Sequence, residues 1–593
     1  MDPISIGSSA LSLQQREEIE QNQDDAFREV IASCRSLSNY QEPTSIKTAI
    51  PQAIAAFIAA SFHIVIGISL AYSAILIPQT ENTTEAIIRG DLVLSKSQGD
   101  IIASIIVIAV PIGCLFAGAL MEWIGRLNTI KLAAIPCTLG WISIAIAPNF
   151  ITLLLGRILT GLGCAIGTSP AIVYITEVAR PDLRGSLIST APTIASFGMI
   201  IAYLKGAYMN WRLVAWLNII YTIVPVIFVQ LFVPESPVWL VSKGRMEDAG
   251  ISLAYLYKGY PKPESSSQSL VDMHLSALQR ERESKIVQKI KEHAKTDTNG
   301  KIKWNWKQSK MAHFLKPTGY KPIIILFWLF LIQQFSGIYI TLFFAVTFFQ
   351  QVNSEINAYT ASIFVGVTRF VMSLGNAWLL KRFKRRKLIM TSSLGMAGCM
   401  FISGCFTLWL KKKETDLYWV PVLCFMLYVC SSMIGLLSIP WTMTAELFPT
   451  EIRGIGHSLS YSMANILMFI AIQSYRTISE FLGGAYAVQW MFACVSVIGF
   501  FFALIFMPET HGKKLSEIEE YFRNGGSYNK NKKTIEQVKI HRVDSKKNFV
   551  KNRRPTITLE TVKEAEKMIK DVEDDNIKIN NVDETNNKNK LMV

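Results

Sequence analysis

Two adjacent glutamines, Gln333 and Gln334, lie near the middle of a long apolar stretch, residues 321–349. The stretch is long enough to cross a bilayer as one helix. An amide buried there costs several kcal/mol unless it is hydrogen-bonded. Neighbouring side chains on a helix point about 100° apart, so both amides cannot serve the same helix–helix contact. We therefore expect at least one of them to face a polar cavity, where an amide suits an uncharged, hydroxyl-rich ligand.

The composition is that of a polytopic helical membrane protein. Half of the 593 residues are hydrophobic, 18% are charged, and the net charge is +15. The positive charge falls mainly outside the apolar stretches, where it predicts contact with the acidic headgroups of a lipid bilayer and no nucleic-acid partner. Most cysteines fall in apolar stretches without ligand spacing, so we expect no metal and no cofactor.

Twelve apolar segments, six on each side of a charged loop, predict an all-α polytopic membrane protein. An even number of spans places both termini on one side, and the basic loops indicate that this side is the cytoplasm. We expect a multi-pass monomer in the plasma membrane. The predicted parts are an N-terminal tail (1–50), a six-helix half (51–233), a cytoplasmic loop with short helices (234–320), a second six-helix half (321–507) and a cytoplasmic C-terminal tail (508–593).

Matched charged positions indicate that the two halves are homologous. Glu177 stands seven residues before Arg184, and Glu446 stands seven residues before Arg453. The segment Pro-Glu-Ser closes the first half at 234–236, and Pro-Glu-Thr closes the second at 508–510. Two such halves facing each other form one central site that opens alternately to either side of the membrane.

With these positions in place, the chain resembles the sugar porters of the major facilitator superfamily over about residues 50–525. Four segments carry the similarity: PESPVWL (234–240), QQFSGI (333–338), AELFPTEIRG (445–454) and PETHG (508–512). Within that family it is most similar to the facilitative trehalose or hexose transporters of insects. The resemblance implies the major facilitator fold, 12 transmembrane helices in two six-helix halves, and transport without enzymatic activity.

The resemblance also implies a set of substrate contacts. In that family the paired glutamines of the seventh span bind sugar hydroxyls, and a tryptophan of the tenth span stacks on the sugar or blocks the inner exit. Tyr339 and Arg369 stand where the family has asparagines, and Asn465 stands where it has a tryptophan. These departures leave the identity of the cargo open. The implied binding residues are Gln333, Gln334, Tyr339, Phe343, Arg369, Trp441 and Asn465.

Charged residues at the cytoplasmic ends of the spans predict a network that forms in only one conformation and biases the transport cycle. Lys381 and Lys384 replace an acidic residue and a glycine of the family pattern, so we expect the second-half network to be weaker. Arg157, inside the fourth span, is expected to bind a carboxylate or carbonyls. The expected gating residues are Arg126, Glu177, Arg184, Glu446 and Arg453.

Several alternatives stay open. Arg369 has no carboxylate in the central part of any span, so it either binds carbonyls or donates to an anionic or highly hydroxylated cargo. Proton-coupled sugar porters have an acidic residue in the first span, and the corresponding run here, residues 66–73, has none, so the resemblance implies uniport. Asn82 begins an Asn-Thr-Thr sequon in an outer loop and predicts glycosylation. The rivals are a transporter of another polar or anionic solute and a non-transporting sugar sensor that signals through its C-terminal tail.

Overall fold

The computed structural model describes residues 46–81, 83–88, 90–258, 271–280, 282–283, 314–351, 357–449, 452–511, 513 and 515–523. Within these ranges, twelve helical segments are long and apolar enough to cross a membrane, which confirms the predicted number. We number them as spans 1 to 12. The ends expected to face the cytoplasm, such as the junction of spans 2 and 3, are called inner ends, and the opposite ends are called outer ends.

The first six spans contain one interrupted helix and five continuous ones. Span 1 is built from two helices, and a short helix, Pro181–Ile188, joins spans 4 and 5. The bounds are Ile46–Ala60 with His63–Glu81 (span 1), Lys96–Ile124 (span 2), Arg126–Ala145 (span 3), Phe150–Val178 (span 4), Thr190–Tyr208 (span 5) and Trp211–Phe232 (span 6).

The second six spans contain two interrupted helices, spans 7 and 10. The sequence predicted one helix over residues 321–349. The structure instead has three helices there, so that prediction was wrong. The bounds are Pro317–Phe335, Ile340–Phe343 and Ala345–Gln351 (span 7), Ala358–Arg382 (span 8), Arg385–Lys412 (span 9), Trp419–Ile434 with Ile439–Glu446 (span 10), Arg453–Leu482 (span 11) and Ala485–Ile505 (span 12).

Local sequence explains where several spans begin. The Ser95 hydroxyl accepts the Gln98 N–H while the Gln98 amide accepts the Ser95 N–H, which is a complete capping box at the start of span 2. Asn149 and Asn210 cap spans 4 and 6 in the same sense, each accepting an N–H three residues on. Each cap pairs backbone donors that would otherwise lack partners at the first turn.

The outward faces of the spans are apolar. Trp123 and Phe481 are 75% and 88% exposed, a pattern that suits lipid contact. Inside, one continuous apolar core runs through both halves. The expected helical pattern in the loop is confirmed for residues 271–280, whose Leu275 and Leu278 pack against Trp239 and Leu240.

Candidate functional site

Span 7 is interrupted directly after the paired glutamines. The gap, residues 336–339, contains Gly337 with φ +93°, a conformation that side-chain-bearing residues rarely adopt. A Cβ there would also lie 2.5 Å from the ring of Phe492. Both constraints require glycine, and together they turn the chain out of the helix beside the two amides.

The Gln333 amide holds the break in span 10. Its Nε2 donates to the carbonyl oxygens of Leu436 and Leu437, at 2.8 and 2.9 Å. These carbonyls lie between the two helices of span 10, where an interrupted helix leaves acceptors without intrahelical partners. The donor of Gln333 therefore makes a structural contact between spans 7 and 10.

The Gln334 amide is less fully used. Its Nε2 donates to Oε1 of Gln333 at 3.3 Å, whereas its own Oε1 is buried and has no partner among the described residues. Both side chains are fully buried. A buried acceptor without a partner is costly, and a hydroxyl-bearing ligand would supply the missing donor.

Trp441 and Tyr339 meet beside these amides. The Trp441 indole donates through Nε1 to the Tyr339 hydroxyl at 3.2 Å. The indole also packs against the rings of Phe330 and Tyr461, with centroid distances of 4.9 and 5.1 Å. Trp441 and Tyr339 are both half-buried, so the breaks of spans 7 and 10 present a partly accessible aromatic surface.

Asn465 and Phe343 contact other parts of the protein and do not line the accessible aromatic surface directly. The Asn465 amide donates to the Tyr461 carbonyl of its own helix at 2.8 Å, and Tyr461 in turn packs against Trp441. Phe343 is fully buried in the apolar core. Asn465 thus reaches the aromatic surface through Tyr461, while the contacts of Phe343 are those of packing.

Arg369 of span 8 lies between the halves. Its charge is within electrostatic reach of the Tyr339 and Tyr203 hydroxyls, and Tyr203, in span 5, donates to the Leu342 carbonyl at 3.1 Å. The buried Nε of Arg369 has no hydrogen-bond partner in the described part of the chain. The Ser373 and Thr193 hydroxyls, 3.0 Å apart, add a second contact between spans 8 and 5.

Arg157 behaves differently from Arg369 because its donors are engaged. It is fully buried and donates to the carbonyls of Ile102 and Ser69, at 3.4 and 3.1 Å, and to the Ser73 hydroxyl. The predicted structural role is thus met by carbonyls and a hydroxyl from spans 1 and 2.

The inner ends of spans 2 to 4 carry a charged cluster. The Arg126 guanidinium donates to the Glu177 carboxylate three times, at 2.8 to 3.2 Å, and to the Met121 carbonyl at 3.0 Å. The Ser236 hydroxyl donates to the same carboxylate at 2.5 Å. Glu235 accepts the backbone N–H groups of residues 126–128 at the start of span 3, where a negative charge is favoured. We call Arg126, Glu177, Glu235 and Ser236 the first inner cluster.

The second half repeats this arrangement with fewer contacts. Arg385 donates once to Glu446, at 3.3 Å, and also to the Leu380 carbonyl. The Thr510 hydroxyl donates to Glu446 at 2.5 Å, and Glu509 accepts the N–H groups of Arg385 and Arg386. These four residues, Arg385, Glu446, Glu509 and Thr510, form the second inner cluster. Among the described residues, which leave out the Arg453 side chain, this cluster has one arginine–glutamate hydrogen bond, and the weaker network stays a prediction.

The remaining predicted gating and modification residues lie elsewhere. The Arg184 side chain is exposed, and the buried arginine of that stretch is Arg180, 5% exposed, whose N–H donates to the Gln52 amide oxygen. The Arg453 side chain and Asn82 lie outside the described residues. Glu235, Glu509 and Arg385 were not predicted as members of these clusters, although the matched Pro-Glu segments were the signal for the two glutamates.

Comparison with known proteins agrees with this architecture. A family model described as "Sugar (and other) transporter" matches residues 49–522. The facilitated trehalose transporter Tret1 of Drosophila virilis is 30% identical over 471 residues, covering 79% of this chain and 48% of that protein. The Tret1-2 homolog of Drosophila sechellia is 29% identical over 482 residues, covering 81% and 92%. The chain spans about half the length of the first of these relatives.

Among solved structures, the xylose transporter XylE from E. coli in an inward open conformation has a TM-score of 0.60 at 20% identity, covering 78% of this chain and 98% of that one. This likeness, with the twelve spans, shows the major facilitator fold. The match of the family model across four-fifths of the sequence shows that this chain belongs to the sugar (and other) transporter family.

Proposed function

We propose that the protein is a facilitative transporter that moves trehalose or a hexose by alternating access. The observation that carries the proposal is the meeting of two helix breaks, in spans 7 and 10, at the buried Gln333–Gln334 pair. Transporters bind their cargo at such breaks because an interrupted helix offers polar groups near the middle of the membrane.

The surroundings of the pair suit a neutral polyol. Gln334 offers an unused acceptor, while Trp441 and Tyr339 offer half-buried aromatic faces on which the apolar face of a sugar ring would stack. Each hydrogen bond contributes about 1 kcal/mol net, which gives the weak, reversible binding that a carrier needs. Gln333 would position the site through span 10, and Asn465 and Phe343 would form its wall.

The two inner clusters would bias the conformation. Each joins the inner ends of spans within one half, so it stabilises one packing of those ends. Cargo shifts the equilibrium between the two conformations only if it binds one of them more tightly than the other, since a ligand shifts an equilibrium only by its differential affinity. The sugar itself undergoes no bond change.

The finer details follow from the same proposal. We assign uniport on the absence of an acidic residue in the middle of span 1, and a plasma-membrane location with cytoplasmic termini on the distribution of basic loops. The names of the relatives favour trehalose as the first cargo to test. We expect a monomer, because one chain supplies both inner clusters and all the residues of the candidate site.

The test is radiotracer uptake in cells that lack endogenous sugar carriers, with trehalose, glucose and a set of competing sugars. Saturable uptake that is insensitive to dissipation of the proton gradient supports facilitated transport. Collapse of uptake on dissipation contradicts uniport, and binding without flux would indicate a sensor. Truncation after Asn524 distinguishes a transporter from a sensor. A transporter keeps its flux without the tail, whereas a sensor that signals through the tail loses its output.

A second candidate is a transporter of an anionic sugar or another organic anion. Arg369 favours it, because its buried Nε has no partner among the described residues and the nearby Tyr203 and Tyr339 carry neutral hydroxyls. A cation in such surroundings gains from an anionic partner more than from a neutral one.

A further inference from the structure

A three-residue charge cluster joins the two halves at their outer ends. Arg476, near the end of span 11, lies with Nη1 2.8 Å from a carboxylate oxygen of Glu81, at the end of span 1. Its Nε lies 2.9 Å from a carboxylate oxygen of Asp100, in the first turns of span 2. The three side chains are 10 to 17% exposed, so water and salt screen them weakly.

The packing around this outer cluster is specific. Gly99 makes room for the Glu81 carboxylate, since a Cβ on Gly99 would lie 2.2 Å from Glu81 Oε1. One turn deeper, the Ser104 hydroxyl donates to the Gln473 amide oxygen at 2.8 Å, which joins spans 2 and 11 again. The two spans therefore meet along more than one helical turn, and their contact is polar.

The outer cluster also touches the broken helix that carries the candidate site. The Arg476 guanidinium lies over the ring of Phe344, 5.3 Å from its centroid. Phe344 directly follows the helix Ile340–Phe343 of span 7, and its ring packs against Tyr475 at 5.2 Å. Movement of Arg476 would thus change the contacts of the outer part of span 7.

This arrangement differs from that of the inner clusters. Both inner clusters connect spans of the same half, whereas Arg476 connects the second half to two spans of the first. If the halves rock apart at their outer ends, these ion pairs have to separate, whereas the inner clusters need not break across the halves.

We propose that Arg476, Glu81 and Asp100 form an outer lock that holds the two halves together on the external side and opens in each cycle. This inference rests on the proposed alternating access. Loss of the lock shifts the population toward the outward-open conformation, by about tenfold for a coupling of ordinary size.

The experiment measures labelling of Ser104→Cys by a membrane-impermeant maleimide on intact cells, alone and combined with Arg476→Gln. We expect the lock variant to increase the labelling rate about tenfold. Lys96→Gln is the matched control: the Lys96–Glu480 pair crosses the same interface at 3.9 Å, but its side chains are 77% and 70% exposed, so its loss should leave labelling unchanged. The parent without the Ser104 change gives the background of the native cysteines.

Surface biotinylation identifies variants that fail to fold, and Asp100→Asn provides an independent weakening of the lock. The exchanged pair Asp100→Arg with Arg476→Asp should return labelling toward the parent rate. Unchanged labelling in both single variants at normal surface level would overturn the proposal. The labelling experiment needs no sugar, so its result is independent of the cargo. If Arg476→Gln increases labelling while none of the tested sugars is transported, the outer lock is supported and only the assigned cargo is contradicted.

Discussion

The indole Nε1 of Trp441 donates to the hydroxyl of Tyr339 across 3.2 Å, which links the inner helix of span 10 to the break of span 7. Replacing either residue by Phe removes this bond, at about 1 kcal/mol, or about fivefold in an equilibrium constant. We expect Trp441→Phe and Tyr339→Phe each to change the apparent affinity for the cargo severalfold. The double variant should add little to either, because both remove the same interaction; additive effects in uptake kinetics would contradict the link.

The two glutamines should separate in their effects. Gln334→Ala removes the unused acceptor together with the bond to Gln333, so we expect a higher KM for uptake and a smaller loss of thermal stability than in Gln333→Ala. Gln333→Ala leaves the carbonyls of Leu436 and Leu437 unpaired, which costs about 1–3 kcal/mol. We expect it to lower both the apparent affinity and the melting temperature of the detergent-solubilised protein. Unaltered uptake kinetics in Gln334→Ala would remove that residue from the site.

Arg369→Asn distinguishes the two proposed cargo classes. If the cargo is a neutral sugar, the change removes a buried charge and supplies an amide, so sugar uptake should stay or rise. If the cargo is anionic, its uptake should be lost, because the cation that binds it is gone. Uptake of labelled sugars and carboxylates by the same cells gives the answer, with surface biotinylation as the control.

The inner clusters should contribute unequally. Glu177→Gln removes the negative charge that accepts three Arg126 hydrogen bonds, whereas Glu446→Gln removes the charge that accepts one Arg385 bond. We therefore expect the first change to alter the ratio of the KM for influx to the KM for efflux more than the second, each by a factor that corresponds to about 1–3 kcal/mol at most. Equal effects at matched expression would show that the number of contacts does not determine the bias.

Gly337 should tolerate no side chain. Gly337→Ala combines a positive φ with a contact 2.5 Å from Phe492, and we expect a loss of about 2 kcal/mol or more in stability. Gly375→Ala, on span 8, is the control because nothing lies within 4 Å of its Cβ. Scanning fluorimetry of both variants measures the difference, and equal melting temperatures would contradict the assigned strain.

The number of spans and the repeat could be predicted because hydropathy and the matched charges act over long windows. The break in span 7 could not, because a helix and an interrupted helix have the same apolar composition. In span 10, Pro440 indicated a loosened helix, and the break lies just before it, at residues 435–438. Gly337 was a signal of a special backbone conformation, but the sequence shows neither its positive φ nor the approach of Phe492 to its Cα. Such an approach is fixed by tertiary packing.

The outer lock was missed for a related reason. The apolar stretch of the first span ends near Ile77 and that of the second begins near Gly99, so from the sequence Glu81 and Asp100 lie outside or at the edge of the membrane segments. The helices continue through or past these points, from His63 to Glu81 and from Lys96 onward. Charges at span ends are commonly solvated, and only the fold shows that Arg476 meets them from the opposite half.

The inner clusters have a consequence for how the polypeptide is assembled. Arg126, Glu177 and Glu235 come from the first 258 residues, whereas Arg385, Glu446 and Glu509 all come after residue 313. The charged residues named for each cluster all come from one half of the chain. Two separately translated fragments, divided within the loop, would each carry a complete set, so co-expression should reconstitute a working carrier from two pieces.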